Sequence, residues 1–170
     1  MKNHLQNPPV LSNFDPNRKT ELHTDASRTK GLGYVLMQEY DEGWKIVSCG
    51  SRFITETERR YSMVELEMLA AVWALKKCRV YLLGMKQFNL IVDHKPLESI
   101  LDKKTMNEVE SPRLQRLKEK LLPFGNFRTI WRAGKKHLIA DAFSRAPTRQ
   151  PTADELEDKD QNESYVKLVR

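Results

Sequence analysis

Three runs with strand character follow Lys19, at residues 20–26, 31–39 and 43–53. Gly31 ends the first connection and Asp41, Glu42 and Gly43 make the second, so the pattern predicts an antiparallel meander with tight turns. The period then changes. Tyr61, Val64, Met68, Val72 and Leu75 recur at helical spacing, and residues 68–75 carry no polar side chain, which predicts a long, deeply buried helix. Residues 88–93 form an apolar run between Gly84 and Pro96, suited to a buried strand that rejoins the sheet after that helix. A short helix is predicted over 96–102. Ser111 followed by Pro112 marks another helix start, with Leu114, Leu117 and Leu121 as an apolar stripe opposite Arg113, Arg116 and Lys120. Residues 127–132 are a fifth strand and 137–145 a closing helix. The order is βββαβααβα: an α/β domain with a mixed five-stranded sheet, three antiparallel strands then two more, flanked by helices.

The ends lack this periodicity. Residues 1–18, with Pro8, Pro9 and Pro16, read as an extended lead-in, and residues 147–170, with an acidic run over 154–160, as an acidic linker or disordered tail. Residues 19–146 remain as one domain, which suits a chain of 170 residues. No apolar run approaches the roughly 18 residues of a membrane span, and residues 1–7 lack the apolar core of a signal peptide. A soluble, intracellular protein without a membrane partner is the expectation. Cys49 and Cys78 are the only cysteines, with no partner at zinc-finger spacing, which excludes a disulfide scaffold and a structural zinc site. Both are expected to be buried and reduced.

The net charge of +6 suits a polyanionic partner, and its distribution says more than its size. Residues 111–137 hold eight basic side chains against Glu119 alone, a local +7, while residues 147–170 are net −2. Arg113, Arg116, Lys120, Trp131, Arg132, Lys135 and Lys136 are therefore candidates for gripping phosphates and stacking on sugar or base, against the alternative of a solvated basic face.

Four acids sit inside apolar sequence, where burial without a partner is costly: Asp25, Glu67, Asp93 and Asp141. Phosphodiester hydrolysis by two magnesium ions about 4 Å apart needs carboxylates converging from core elements in this way. Taken singly, Asp25 could end a strand and accept turn hydrogen bonds, Asp93 could cap the helix region at Pro96, and Asp141 could lie on the wet side of its helix. Glu65 competes with Glu67, but Ser62 and Glu65 form a capping box with Tyr61 and Leu66 as its staple. Residues 65 and 67 lie about 200° apart around a helix, and the Glu67 side carries Ala70, Ala71 and Ala74. Glu67 is the predicted ligand. His94 should point away from Asp93 by strand alternation, His23 could share a face with Asp25, and His137 lies one helical turn before Asp141, where it could position substrate or a metal-bound water or simply open the helix.

In order along the chain, Phe14-Asp15-Pro16, Leu22-His23-Thr24-Asp25-Ala26-Ser27, residues 31–36, Tyr61-Ser62 with residues 65–70, Val92-Asp93-His94-Lys95-Pro96-Leu97 and Ala140-Asp141-Ala142-Phe143-Ser144-Arg145 resemble the ribonuclease H region of gypsy-type long-terminal-repeat retrotransposon reverse transcriptases. The resemblance covers roughly residues 10–147. It implies an RNase H-like fold and a nuclease that cuts the RNA strand of RNA/DNA hybrids with two Mg2+ ions, Mn2+ being a substitute, and with Asp25, Glu67, Asp93 and Asp141 as metal ligands. Its implied partners are the polymerase domain and integrase of a parent polyprotein, with residues 1–18 at the end of the polymerase connection and the tail leading toward the integrase. Two departures from the family pattern occur: His137 stands where the family often has Asn, a change that bears on substrate positioning near Asp141, and Phe143 replaces a common Leu conservatively. The short connection over 131–136 also lacks the loop histidine of ribonucleases H. No Tyr-x-Asp-Asp polymerase motif occurs in the chain. The competing expectation is a catalytically silent hybrid-binding module; an actin-like ATPase lacks its Gly-rich phosphate loops here.

Overall fold

The structure, a computed structural model, describes residues 11–133 and 138–168. Strands β1 (Thr20–Ala26), β2 (Gly31–Tyr40) and β3 (Gly43–Phe53) form the expected antiparallel meander. The β2–β3 turn uses Gly43 at φ 114°, a conformation open to glycine and costly for other residues. After the first long helix, β4 (Phe88–Val92) returns to pair in parallel with β1, and β5 (Phe127–Trp131) adds in parallel to β4. The sheet order is β3-β2-β1-β4-β5, with β1 central and buried at every position.

Helix α1 (Met63–Lys77) begins at the predicted capping box: the Ser62 hydroxyl accepts from Glu65 N, and the Glu65 carboxylate accepts from Ser62 N at 2.9 Å. Its apolar middle has no wet face because it is covered on several sides, packing with Leu22, Leu36 and Leu90 in one core. Each such aliphatic side chain contributes about 1.5–3 kcal/mol on burial, which offsets the absence of a polar stripe. A four-residue helix, α2 (Arg79–Leu82), leads toward β4, and α3 (Lys95–Asp102) follows β4 directly. Helix α4 (Pro112–Glu119) starts as predicted, with Ser111 as N-cap and Pro112 in the first turn.

Alternation along β1 divides its side chains. Leu22 and Ala26 join the core beneath α1, whereas Glu21, His23 and Asp25 face the other side. On that side α5 (Leu138–Arg145) packs against β2 and β1. Gly33 permits this contact: a Cβ there would stand 2.4 Å from Ser144 N and 2.7 Å from Ala140 O.

The chain after Pro147 departs from the expected disordered linker. Phe53 N donates to Arg149 O at 2.9 Å, and residues 153–168 form helix α6 (Ala153–Leu168) against α4. Glu155 accepts from Trp73 Nε1 at 2.7 Å and pairs with Arg149 at 2.8 Å and Lys77 at 2.9 Å; Glu163 accepts from Tyr61 Oη at 2.7 Å and pairs with Arg113 at 3.1 Å. Acidic composition predicts solvation for an isolated segment, but here the acids meet cations and aromatic donors from distant parts of the chain. The lead-in also docks, through Ser12 N on Ile46 O at 2.9 Å and the Phe14 ring on Tyr81. Cys78 is buried as expected; Cys49 is exposed on β3.

Candidate active site

Asp25 stands one residue before the end of β1 and Asp93 one residue beyond β4. These are the carboxyl ends of neighbouring parallel strands, where open α/β sheets form their ligand crevice. Glu67 enters from the second turn of α1 and Asp141 from the first turn of α5. The four acids line one cleft together with Ser27, Arg28, Met63, His94, Ser144 and Arg145. Glu65 lies outside it, holding the helix cap and pairing with Arg113 at 3.2 Å.

The cleft holds more negative charge than its surroundings relieve. Asp25 is only 5 % exposed, and burial pushes its carboxyl up to about 6; the hydrogen bond donated by Ser144 Oγ works against this rise, while Asp141 and Asp93 add to it. Glu67 is 2 % exposed, and burial raises its carboxyl well above the ordinary range, with the charges of Asp25 and Asp93 adding to the rise. The backbone N–H of Ala26 bonds to this carboxylate, yet Glu67 Oε2 is buried without a hydrogen-bond partner. Such an atom carries a desolvation cost of roughly 1–3 kcal/mol until something satisfies it.

Hard carboxylate oxygens, one of them buried and unpartnered, fit a divalent cation such as magnesium by donor chemistry. Among the described residues no three histidine, cysteine or carboxylate side chains are already closed around a point, so the acids line the cleft as separate donors. Asp141 Oδ1 receives Arg145 Nε at 2.6 Å.

Ser144, Arg145, Arg28 and His94 are cleft residues that the sequence pattern did not single out as site residues. Ser144 and Arg145 stand three and four residues after Asp141, the spacing at which helix side chains become neighbours, and this was the available signal. His94 was expected to face away from Asp93 by alternation. It lines the cleft because β4 ends at Val92, so the strand period no longer governs residues 93 and 94.

The candidate nucleic-acid residues divide, and none of those described lines the cleft. Arg113 is held between Glu65 and Glu163 with its guanidinium 4.1 Å from the Tyr61 ring centre, Arg116 pairs with Glu119 at 3.1 Å, and Lys120 lies in a separate pocket under α6 with Trp73 and Glu155. Arg113 is thus bound to acids rather than presented as an open cation. Arg132 pairs with Glu21 at 3.2 Å, and His23 Nε2 lies 2.9 Å from the same carboxylate. Burial would raise the Glu21 carboxyl, but His23 and Arg132 outweigh it and hold it down to about 2. His23 therefore contributes to this buried pair. Trp131 is 40 % exposed, donates Nε1 to Asp93 O at 2.9 Å and carries Lys95 5.6 Å from its ring centre. Lys135, Lys136 and His137 lie outside the described residues.

Residues 15–124 match the model of the RNase H-like domain found in reverse transcriptase; Asp141 lies beyond that span. The chain is 35 % identical over 126 residues to the retrovirus-related Pol polyprotein from transposon opus of Drosophila melanogaster, covering 74 % of this chain and 12 % of that one. It is 36 % identical over 147 residues to the transposon Tf2-3 polyprotein of Schizosaccharomyces pombe, covering 85 % and 11 %. It thus spans about a ninth of the length of these relatives. Among solved structures, LC11-RNase H1 in complex with an RNA/DNA hybrid superposes with a TM-score of 0.58 at 16 % identity, over 74 % of this chain and 93 % of that one. The prototype foamy virus protease-reverse transcriptase gives 0.59 at 14 %, over 89 % and 19 %. At these identities the structural likeness concerns the fold, which is RNase H-like. The sequence matches carry the further step, and the chain belongs to the family of RNase H-like domains found in reverse transcriptases.

Proposed function

We propose that this domain is a divalent-cation-dependent endonuclease that hydrolyses the RNA strand of RNA/DNA hybrids within a retrotransposon Pol polyprotein. One observation carries the reading: Asp25, Glu67, Asp93 and Asp141, from four separate elements, line one cleft in which a buried Glu67 oxygen has no partner. Membership in the RNase H-like family supports it. A bound pair of Mg2+ ions, or Mn2+ in their place, would supply an activated water and stabilise the leaving oxygen, giving 5′-phosphate and 3′-hydroxyl ends.

The chain's own part is placement. Asp25 and Glu67, the buried members of the set, would be cation ligands, their raised proton affinities marking how much they gain from nearby positive charge. Asp93 and Asp141, nearer the mouth, would complete the set and leave room for the phosphodiester. Ser144 fixes the rotamer of Asp25, and Trp131 holds the Asp93 backbone through its carbonyl. The exposed Trp131 face, with Lys95 beside it, would stack on a sugar or base of the hybrid.

The testing experiment incubates the full chain with a labelled hybrid and Mg2+. Cleavage of the RNA strand that disappears in Asp93→Asn is expected; equal cleavage by that variant refutes the assignment. The pairing of Asp141 with Arg145 at 2.6 Å favours a second reading, hybrid binding without turnover. Salt-dependent binding with no cleavage in Mg2+ or Mn2+ would establish it.

A further inference from the structure

Helix α6 carries six acids against two lysines, yet among its described side chains only Glu155 and Glu163 are sheltered, while Leu156 is 39 % exposed. The described contact with the domain is therefore made by two carboxylates and not by an apolar stripe. Each carboxylate enters a group of cations and polar ring atoms. Glu155 meets Trp73 Nε1, Lys77 and Arg149, with Arg52 Nε 4.0 Å away, and Glu163 meets Tyr61 Oη and Arg113. None of these partners lines the carboxylate cleft.

Both groups have donor capacity to spare. Arg52 Nε and Arg113 Nε are buried without a hydrogen-bond partner, and a cavity of about 180 Å3 beside Glu155 is lined also by Lys76 and Lys120. A buried donor left unpaired is a cost that a better-matched anion removes. Glu155 and Glu163 stand about 12 Å apart along their helix. One strand of a duplex advances by about 3.4 Å per nucleotide, so this spacing is that of roughly three to four nucleotides. An acidic peptide arriving from solution would meet the same contacts as α6 without the advantage of a tether. A nucleic-acid strand carries a charge at every step and gains from counterion release, which gives it the means to displace a tethered helix.

We infer that the face of α1 and α4 beneath α6 is a second nucleic-acid-binding surface, separate from the carboxylate cleft, and that α6 is its internal competitor, with Glu155 and Glu163 standing where backbone phosphates bind. The inference goes beyond hydrolysis in the cleft and does not depend on it. Basic side chains that composition marked for phosphate binding, Arg113 and Lys120 among them, are then covered by α6 rather than idle. Phosphate contacts carry no base information, so binding follows salt and not sequence.

The experiment measures binding of a labelled RNA/DNA hybrid to the full chain by fluorescence anisotropy over a range of salt, in chelator so that no divalent cation supports cleavage. Glu155→Gln with Glu163→Gln is expected to tighten binding about 10-fold at low salt and to steepen the salt dependence by about two phosphates, while hydrogen exchange over residues 153–168 accelerates. Adding Lys77→Gln and Arg113→Gln should abolish the gain. Neutralising the exposed Glu110 and Glu157 changes the net charge equally and should give no more than a small part of it. An equal gain from that control pair, a gain that survives the loss of Lys77 and Arg113, unchanged exchange over α6 or unchanged binding each overturns the inference. So does an equal gain in affinity for polyglutamate, which would make the face a site for acidic protein. Where thermal melting shows the double variant to be unfolded, Glu163→Gln alone should give a smaller gain that Arg113→Gln removes, and no gain there overturns the inference. Absence of cleavage with Mg2+ would remove the catalytic reading and leave this one standing.

Discussion

The hydroxyl of Ser144 donates to the carboxylate of Asp25, which lies 119 residues earlier in the chain. This bond stabilises the charged form of a carboxylate that burial and neighbouring acids push up to about 6. Ser144→Ala therefore moves the Asp25 carboxyl higher still, so the acid limb of the pH–rate profile for hybrid cleavage shifts to higher pH. The rate should fall more at pH 6 than at pH 8. Ser144→Thr keeps the donor and should restore the parent profile if its methyl is accommodated. Coincident profiles for the alanine variant and the parent would show that the bond has no effect on the carboxylate.

Without divalent cations, the acids of the cleft should oppose folding at neutral pH. The folded Asp25 binds its proton up to about 6, against an ordinary value of 3.8, so between these values the folded state holds more protons than the unfolded one. Stability from this group is greatest when it is protonated and falls as pH rises through that window. Glu67 acts with the same sign. Asp25→Asn removes the buried charge, so in chelator it should be more stable than the parent by about 2–3 kcal/mol at pH 8, with the gap closing toward pH 4. Urea unfolding at the two pH values measures this. A destabilised variant at pH 8 would refute the account.

These pH effects trace to acids that were legible in the sequence, since an Asp or Glu inside Leu22–Ala26, α1 or the start of α5 needs a reason to be buried. The capping box at Ser62 separated Glu65 from Glu67 for the same local reason, and the meander, α1 and α4 follow from short-range periodicity. Contacts across the chain were not legible. Composition could not show that Glu155 and Glu163 would meet Trp73 and Tyr61, nor that Arg113 would be enclosed by Glu65 and Glu163. Nor does strand alternation place His94, because β4 ends at Val92.

Gly33 is predicted to be a position where one methyl group disturbs the site without touching it. In Gly33→Ala the new Cβ would meet backbone atoms of Ser144 and Ala140, which cannot rotate away as a flexible side chain would. Helix α5 must move outward, taking Ser144 from Asp25 and displacing Asp141. Overpacking of this kind costs about 1–3 kcal/mol. The cleavage rate should fall by more than the folded fraction does, because the variant that remains folded carries a widened cleft. Cleavage rates corrected for folded fraction measure the separation; a rate that merely tracks folding would mean that α5 tolerates the shift.

Helix α6 should behave as part of the folded domain, with Glu155 as its main anchor. This carboxylate accepts from Trp73 Nε1 and Thr152 N and pairs with Lys77 and Arg149, while the buried Arg52 Nε lies 4.0 Å away. Glu155→Ala leaves a buried indole donor and two cations without this acceptor. Removing one partner from an enclosed network of this kind costs about 2–4 kcal/mol, and hydrogen exchange over residues 153–168 should accelerate as α6 detaches. Burial would raise the Glu155 carboxyl, but the bonds from Arg149, Thr152, Lys77 and Trp73 outweigh it and hold it well below its ordinary 4.5. Its stabilisation is therefore fully present above pH 4.5 and is lost progressively as pH falls below that value. The stability difference between parent and Glu155→Ala should be greatest near neutral pH and should shrink in acid. A difference that stays constant down to pH 2 would assign the loss to packing and not to the anchored charge.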